Sequence, residues 1–180
     1  ERGSLGRDRV TDSAYPWFAR VDGDGLWQGD ILRDCEEPII VSTAGDEADV
    51  TVCSRVVVLS QSCDLENGKV AKVIVCPCFD FKDWLAVTGV KQEDGFKRLV
   101  EGRYVRYSVL DACSLPDLEC AHLVADFGQV FTVPIDYAKQ LAKNVPRLRI
   151  LPPYREHLAQ AFARFIMRIG LPLDVSPPAK

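Results

Sequence analysis

Long apolar runs are missing from this chain of 180 residues: the longest, Val56-Val57-Val58-Leu59 among them, stop after four residues, far short of the ~20 that cross a bilayer. No membrane span is expected. The opening residues Glu1 to Arg9 hold no hydrophobic core of the kind a secretory signal needs. The seven cysteines, at 35, 53, 63, 76, 78, 113 and 120, are odd in number and scattered, which favours reduced thiols over a disulfide framework and places the protein in the cytoplasm. There is no Gly-rich loop followed by Lys-Ser/Thr, and no G-x-G-x-x-G after a strand, so nucleotide hydrolysis is not expected. A zinc knuckle is missing too. Cys76-Pro77-Cys78 is C-x-C rather than C-x-x-C, and Cys113 and Cys120 are separated by six residues, so no metal or other cofactor is expected. Histidine occurs only at 122 and 157.

What is present is ordinary globular material, 47% hydrophobic and 27% charged, enough for one core and one domain. Residues 1–25 are polar and end in Asp22-Gly23-Asp24-Gly25, which predicts an irregular arm; residues 26–170 form the domain and 171–180 a tail. Trp27 to Leu32 and Pro38 to Val41 read as two short strands with a loop at Ala44 to Ala48. Val50 to Ser60 is β-branched and nearly continuous, as in a strand buried on both faces, with Val70 to Cys76 as its antiparallel neighbour. Asn67-Gly68 supplies the positive φ angles of the reversal between them. Phe81 to Val87 and Glu93 to Glu101 read as short helices broken at Gly89, and Arg103 to Leu110 as a half-exposed strand. Leu123 to Phe127 and Val130 to Val133 predict a hairpin around Gly128-Gln129, Pro134 opens a helix through Ala142, and Arg147 to Leu151 is one more strand. A last helix follows Pro153 and stops at Gly170, with Leu158, Phe162, Phe165 and Ile169 as its core stripe.

Charge is unevenly spread. Of 22 Lys/Arg and 26 Asp/Glu, the segment Pro134 to Gly170 holds seven basic residues against Asp136 and Glu156, leaving 15 against 24 elsewhere. On the last helix, His157, Ala161, Arg164 and Arg168 follow spacings of four, three and four, so the histidine and two arginines share a face that can meet an anion. Arginines and lysines among Trp27, Tyr104, Tyr107 and Tyr154 are the residue types of phosphate and stacking contacts, although a pI near 5.2 weighs against nucleic acid. The second unusual string is Ser60-Gln61-Ser62-Cys63-Asp64, where an apolar strand empties into small polar residues. Its hydroxyls and carboxylate can satisfy turn donors, and Cys63 is a nucleophile where a cation or histidine favours the thiolate.

Gly29-Asp30-Ile31, a loop with Gly45-Asp46-Glu47, the strand Arg55-Val56-Val57-Val58-Leu59-Ser60, and Gly68 to Val75 running into Cys76-Pro77 follow one another in an order that resembles the MazF/PemK toxin family over residues 27 to 81 or so. The resemblance implies a small SH3-like β-barrel and metal-independent endoribonuclease chemistry, in which an arginine and a threonine assist attack of the ribose 2′-hydroxyl on the adjacent phosphate. Arg55 falls at the family's arginine, where a guanidinium stabilises charge developing on phosphate. The threonine position falls at or beside Phe79, Val56 replaces the usual proline, and Cys63-Asp64 stands where Tyr-Asn is common, so the missing group would come from Ser60, Ser62 or Cys63. Pro153-Tyr154-Arg155-Glu156-His157-Leu158 and the helix after it resemble a family of uncharacterised prokaryotic proteins, which implies no activity.

These readings predict an α+β protein: a small, bent antiparallel β-barrel of the SH3/MazF-like kind, with short inserted helices and a packed C-terminal helix. The first function expected is a non-catalytic accessory or protein-binding module, acting with a partner in a prokaryotic stress, toxin-antitoxin or defence system through Trp27, Gln61, His157, Arg164 and Arg168. RNA and a second copy of the chain are the other partners considered. The alternative is a divergent MazF-like nuclease using Arg55, Ser62, Cys63 and Asp64. A cysteine hydrolase pairing Cys63 with His122 or His157 is the third.

Overall fold

Alternation along the central strands decides where the core lies. The computed structural model describes residues 15–39 and 49–167, and in it Val57 and Leu59 face one side of the sheet while Val56 and Val58 face the other, all of them buried. The strands are β1 (Phe18–Val21), β2 (Asp30–Ile39), β3 (Asp49–Val58), β4 (Lys72–Asp80), β5 (Tyr107–Leu110), β6 (Leu123–Asp126), β7 (Phe131–Pro134) and β8 (Arg147–Ile150). The helices are α1 (Ser62–Glu66), α2 (Phe81–Thr88), α3 (Gln92–Val100), α4 (Ile135–Asn144) and α5 (Tyr154–Ile166). This is an α+β fold with one eight-stranded antiparallel sheet in the order β1-β8-β2-β3-β4-β6-β5, and β7 also on β4.

One face of the sheet carries the larger core, running from Phe18 of β1 through Val57, Cys76 and Ile150 to Leu110 of β5, with Leu158 of α5 buried in it and Phe162 and Phe165 packed against it. That is the helical stripe expected from the sequence; Ile169 lies outside the described residues. Val56, Val58, Val73 and Val75 face the opposite core, which Ala138 and Ala142 of α4 cover. A third cluster, Trp84, Leu99 and Val124, holds α2 and α3 against β6. The ladder ends at β1 and β5 with no pairing between them among the described residues. Both ends nevertheless reach one groove: Trp17, just before β1, and Tyr107 to Val109 of β5 line it together with α5.

Several expectations change. The predicted irregular arm contains β1, because pairing with β8 in the register Phe18↔Ile150 to Val21↔Arg147 and burial of Phe18 outweigh the local Gly/Asp composition. The two strands expected between Trp27 and Val41 are one, β2, paired with β3 along its length; residues 40–48 lie outside the described region. The strand at Val50 is buried on both faces only in its second half, since Val50 and Val52 are 54% and 57% exposed where β3 extends beyond the Val56↔Pro77 to Val58↔Val75 ladder with β4. β3 and β4 are antiparallel as expected, but α1 lies between them and only Gly68 is left-handed, at φ 62°, while Asn67 caps α1 at φ −88°. The strand expected from Arg103 is ordered as β5 only from Tyr107.

The predicted β6/β7 hairpin is absent. Both strands pair with β4, end to end along the same edge: Cys78↔Ala125 to Asp80↔Leu123, and Lys72↔Pro134 to Val75↔Phe131. Nine residues of β4 give room for both. Between them the 3₁₀ turn Phe127–Gln129 absorbs the surplus chain, with the Asp126 carboxylate accepting from the Gly128 N–H at 2.9 Å. Gly128-Gln129 is thus a bulge within a broken strand, not a reversal.

Candidate functional site

The polar string after β3 is built by backbone satisfaction. The Leu59 N–H donates to the Ile74 carbonyl at 2.9 Å, and the Ile74 N–H donates to Ser60 Oγ at 2.8 Å, so the serine continues the β3/β4 ladder with its side chain. Gln28, just before β2, donates its Nε2 to the Leu59 carbonyl at 2.9 Å and its backbone N–H to Ser62 Oγ at 3.1 Å. Ser60 and Ser62 therefore act as acceptors for main-chain donors, the turn chemistry that such residues supply. Cys63 is exposed, its Sγ 3.8 Å from Asp64 Oδ1. Gln61 and Asp64 line a groove of about 450 Å³ whose other wall is Ala159, Phe162, Ala163 and Ile166 of α5 with Met167 just after it.

The opposite flank of α5 forms a second groove, of about 430 Å³. Trp17 and Tyr154 stack in it, ring centroids 3.8 Å apart and planes within 8°, and His157 meets the edge of Tyr154 at 6.1 Å. Gln160 and Arg164 follow one and two turns on, facing Gly102 and Ser108. The structure brings His157, Ala161 and Arg164 together as their spacing requires; Arg168 lies outside the described residues. It also separates them from the polar string. No residue of 60–64 lines the groove of His157 and Arg164, and neither of those lines the groove of Gln61 and Asp64.

The basic C-terminal segment is less available than its composition implies. Arg147 is 1% exposed: its guanidinium donates to Asp30 Oδ2 at 2.9 Å and to the carbonyls of Gly23, Gly25 and Ala142. Arg149 also donates to both oxygens of Asp30 and lies 4.7 Å above the Trp27 ring. Asp30 itself is fully buried and accepts the Trp27 N–H at 3.1 Å. Trp27, Asp30 and two of the segment's seven cations thus form an internal hub tying β2 to β8. Gly29 at φ 87° lets the chain enter it, and a Cβ there would lie 3.1 Å from Ile150 Cβ. Arg155 is held by Glu156 at 2.7 Å. Arg164 stands in no ion pair among the described residues, while His157 has the Glu156 carboxyl as its electrostatic neighbour.

Arg55 lies elsewhere. It pairs with Asp80 at 3.2 Å, both side chains about a quarter exposed, 28% and 25%. Five residues of extended chain, roughly 16 Å, separate it from Ser60, so the described contacts do not join it to Ser62, Cys63 or Asp64. Phe79, at or beside which the resemblance puts a threonine, is 38% exposed and offers no hydroxyl. His122 Nε2 is engaged by Asp111 Oδ1 at 3.1 Å, and His157 belongs to the groove beyond α5, so neither imidazole attends Cys63. Burial pushes Cys35 and Cys78 up to about 12 and Cys53 up to about 11, which keeps these strand cysteines as thiols at neutral pH. Among the described residues no three His, Cys, Asp or Glu side chains converge as metal ligands would, and no helix is long and apolar enough to cross a membrane.

No family model and no curated protein matches the chain. Its reading therefore rests on the two flanks of α5. Sequence reasoning found the charged half of the first groove but missed Trp17, which it assigned to an irregular arm. The available signal was the aromatic pair Trp17-Phe18, of which Phe18 enters the core and Trp17 covers Tyr154.

Proposed function

We propose that this chain is a non-catalytic, cytoplasmic binding module that takes an acidic segment of a partner protein in the groove of Trp17, Tyr154, His157, Gln160 and Arg164, in a prokaryotic stress, toxin-antitoxin or defence setting. The observation that carries the reading is that Arg164, in no ion pair among the described residues, faces together with His157 a groove walled by stacked aromatics. Such a site combines apolar anchoring with charge selection. The SH3-like barrel belongs to the same reading: α5 lies between the two ends of the ladder, as expected where a bent sheet comes close to closing on itself.

The test is a titration of a labelled Asp/Glu-rich peptide containing one tryptophan, followed by anisotropy. Arg164→Glu is expected to weaken binding by tenfold or more, about 1.4 kcal/mol or above, while Arg55→Ala leaves it unchanged. Equal binding by wild type and Arg164→Glu would overturn the assignment.

A divergent MazF-like nuclease is the second reading, favoured by one observation: the Arg55 guanidinium retains some exposure on its strand. On the binding-module reading, metal-free incubation with mixed-sequence RNA yields no cleavage at high protein concentration. Arg55-dependent termini bearing 2′,3′-cyclic phosphate would replace that reading with the nuclease.

A further inference from the structure

Six of the seven cysteines have another cysteine close by, and two pairs stand directly opposite each other across antiparallel backbone. Cys76 and Cys78 stand two apart on β4, while Cys35 and Cys53 are opposite each other across β2 and β3. Cys53 Sγ is engaged by Glu37, and β2 turns through the left-handed Asp34, at φ 52°, beside Cys35. Cys113 and Cys120 form a separate antiparallel bridge, in which each backbone N–H donates to the other's carbonyl at 2.9 Å. Residues that exchange both bonds hold their Cα atoms ~5.5 Å apart, inside the range of about 4.4 to 6.8 Å that disulfides span, and closing the bond takes an approach of the two Cβ atoms from about 5.5 Å to about 4 Å. Their side chains share a face: Cys113 belongs to the larger core and Cys120 packs against it. Cys120 is half-buried and Cys113 buried, with Cys113 Sγ accepting from the Leu115 N–H at 3.4 Å, so Cys120 is the residue nearer solvent.

We propose that Cys113 and Cys120 are a dithiol–disulfide modification site, whose oxidation staples the loop 114–119 onto the core. The co-reactant is a small-molecule disulfide of the glutathione type. The Cys120 thiolate attacks one of its sulfurs, forming a mixed disulfide and releasing one glutathione thiolate. The Cys113 thiolate then attacks the Cys120 sulfur, the Cys113–Cys120 bond forms, and the second glutathione leaves. Two electrons pass from the protein to the glutathione disulfide, and the two protein thiol protons end on the two glutathiones. Burial raises the Cys120 thiol, so exchange runs faster under mildly alkaline conditions. The loop that the bond would clamp is already seated by Leu118 in the core and by an ion pair from Asp117 to Arg20 at 3.6 Å.

The full chain is incubated with oxidised glutathione, then trapped and mapped by non-reducing peptide mass spectrometry, with amide hydrogen exchange in parallel. The expected result is a linked peptide pair containing Cys113 and Cys120, lost on reduction, with exchange over 114–119 slowed by about tenfold or more in the oxidised form. Cys120→Ser should abolish the link, and the wild-type map stands as the test even if that variant folds poorly. A link between other cysteines, glutathionylation at Cys63 alone, or no oxidation at all would overturn the proposal.

Discussion

Asp30→Ala is expected to cost about 3–5 kcal/mol, the largest effect of any single change at the β2–β8 seam, because it strands two guanidiniums around a carboxylate that is no longer there. Asp30 is fully buried and Arg147 almost so, and Arg149 shares the same two oxygens. Arg147, at 1% exposure, has almost no access to water, and Arg149, at 14%, has little. The carbonyls of Gly23, Gly25 and Ala142 still accept from Arg147, but they neutralise no charge. Against a whole-domain stability of about 5–15 kcal/mol, this is a large share. Urea denaturation at neutral pH measures it as a lowered midpoint with an unchanged slope. A double replacement of Asp30 and Arg147 by apolar residues of similar volume should cost less than Asp30→Ala alone, since it removes the more deeply buried of the two stranded guanidiniums and leaves only the partly exposed Arg149.

Asp126→Ala is the second, with an expected loss of about 2–3 kcal/mol at neutral pH. The Asp126 carboxylate is buried and accepts from Arg106 Nε at 2.6 Å and Nη2 at 2.8 Å, from the Gly128 N–H at 2.9 Å and from Gln129 Nε2 at 2.7 Å. Arg106 is about half exposed, 48% at its side chain, so solvent screens the ion pair and most of the loss comes from uncapping the turn between β6 and β7. The loss depends on acid. Burial by itself would raise the Asp126 carboxyl, yet the hydrogen bonds from Arg106, Gln129 and Gly128 outweigh it and hold the group below the ordinary carboxylate value. A lowered folded-state pKa adds stability that is complete above the unfolded value of about 3.9 and disappears as pH falls through the folded one. The gap between wild type and Asp126→Ala is therefore widest at neutral pH and narrows in strong acid, which paired denaturation curves at the two pH values check.

Elements whose burial is written locally were legible. The run from Val56 to Leu59, the α5 stripe of Leu158, Phe162 and Phe165, and the break at Gly89 between α2 and α3 all follow from period and punctuation. What failed depends on partners distant in sequence. Nothing near Phe18 announces that β8 will pair with it, and nothing in Gly128-Gln129 tells a reversal from a bulge, because the difference lies in the length of β4. At the site, the spacing of His157, Ala161 and Arg164 placed them correctly on one face. That Arg147 and Arg149 turn inward was hidden, since a lone buried aspartate more than a hundred residues upstream decides it.

The strand order also sets a timetable for assembly. The middle of the sheet, β2 to β4, is nearly contiguous in the chain, but β1 and the near edge of β2 can pair only with β8, and the Asp30–Arg147 contact spans 117 residues. Loop closure of that length is slow relative to the local helices and the β2/β3 ladder. During synthesis β1 waits for β8, with Asp30 unneutralised meanwhile, so these segments gain protection only after residue 150 has been made. Folding is expected to be limited by this N-to-C meeting, while the β2–β4 ladder forms early.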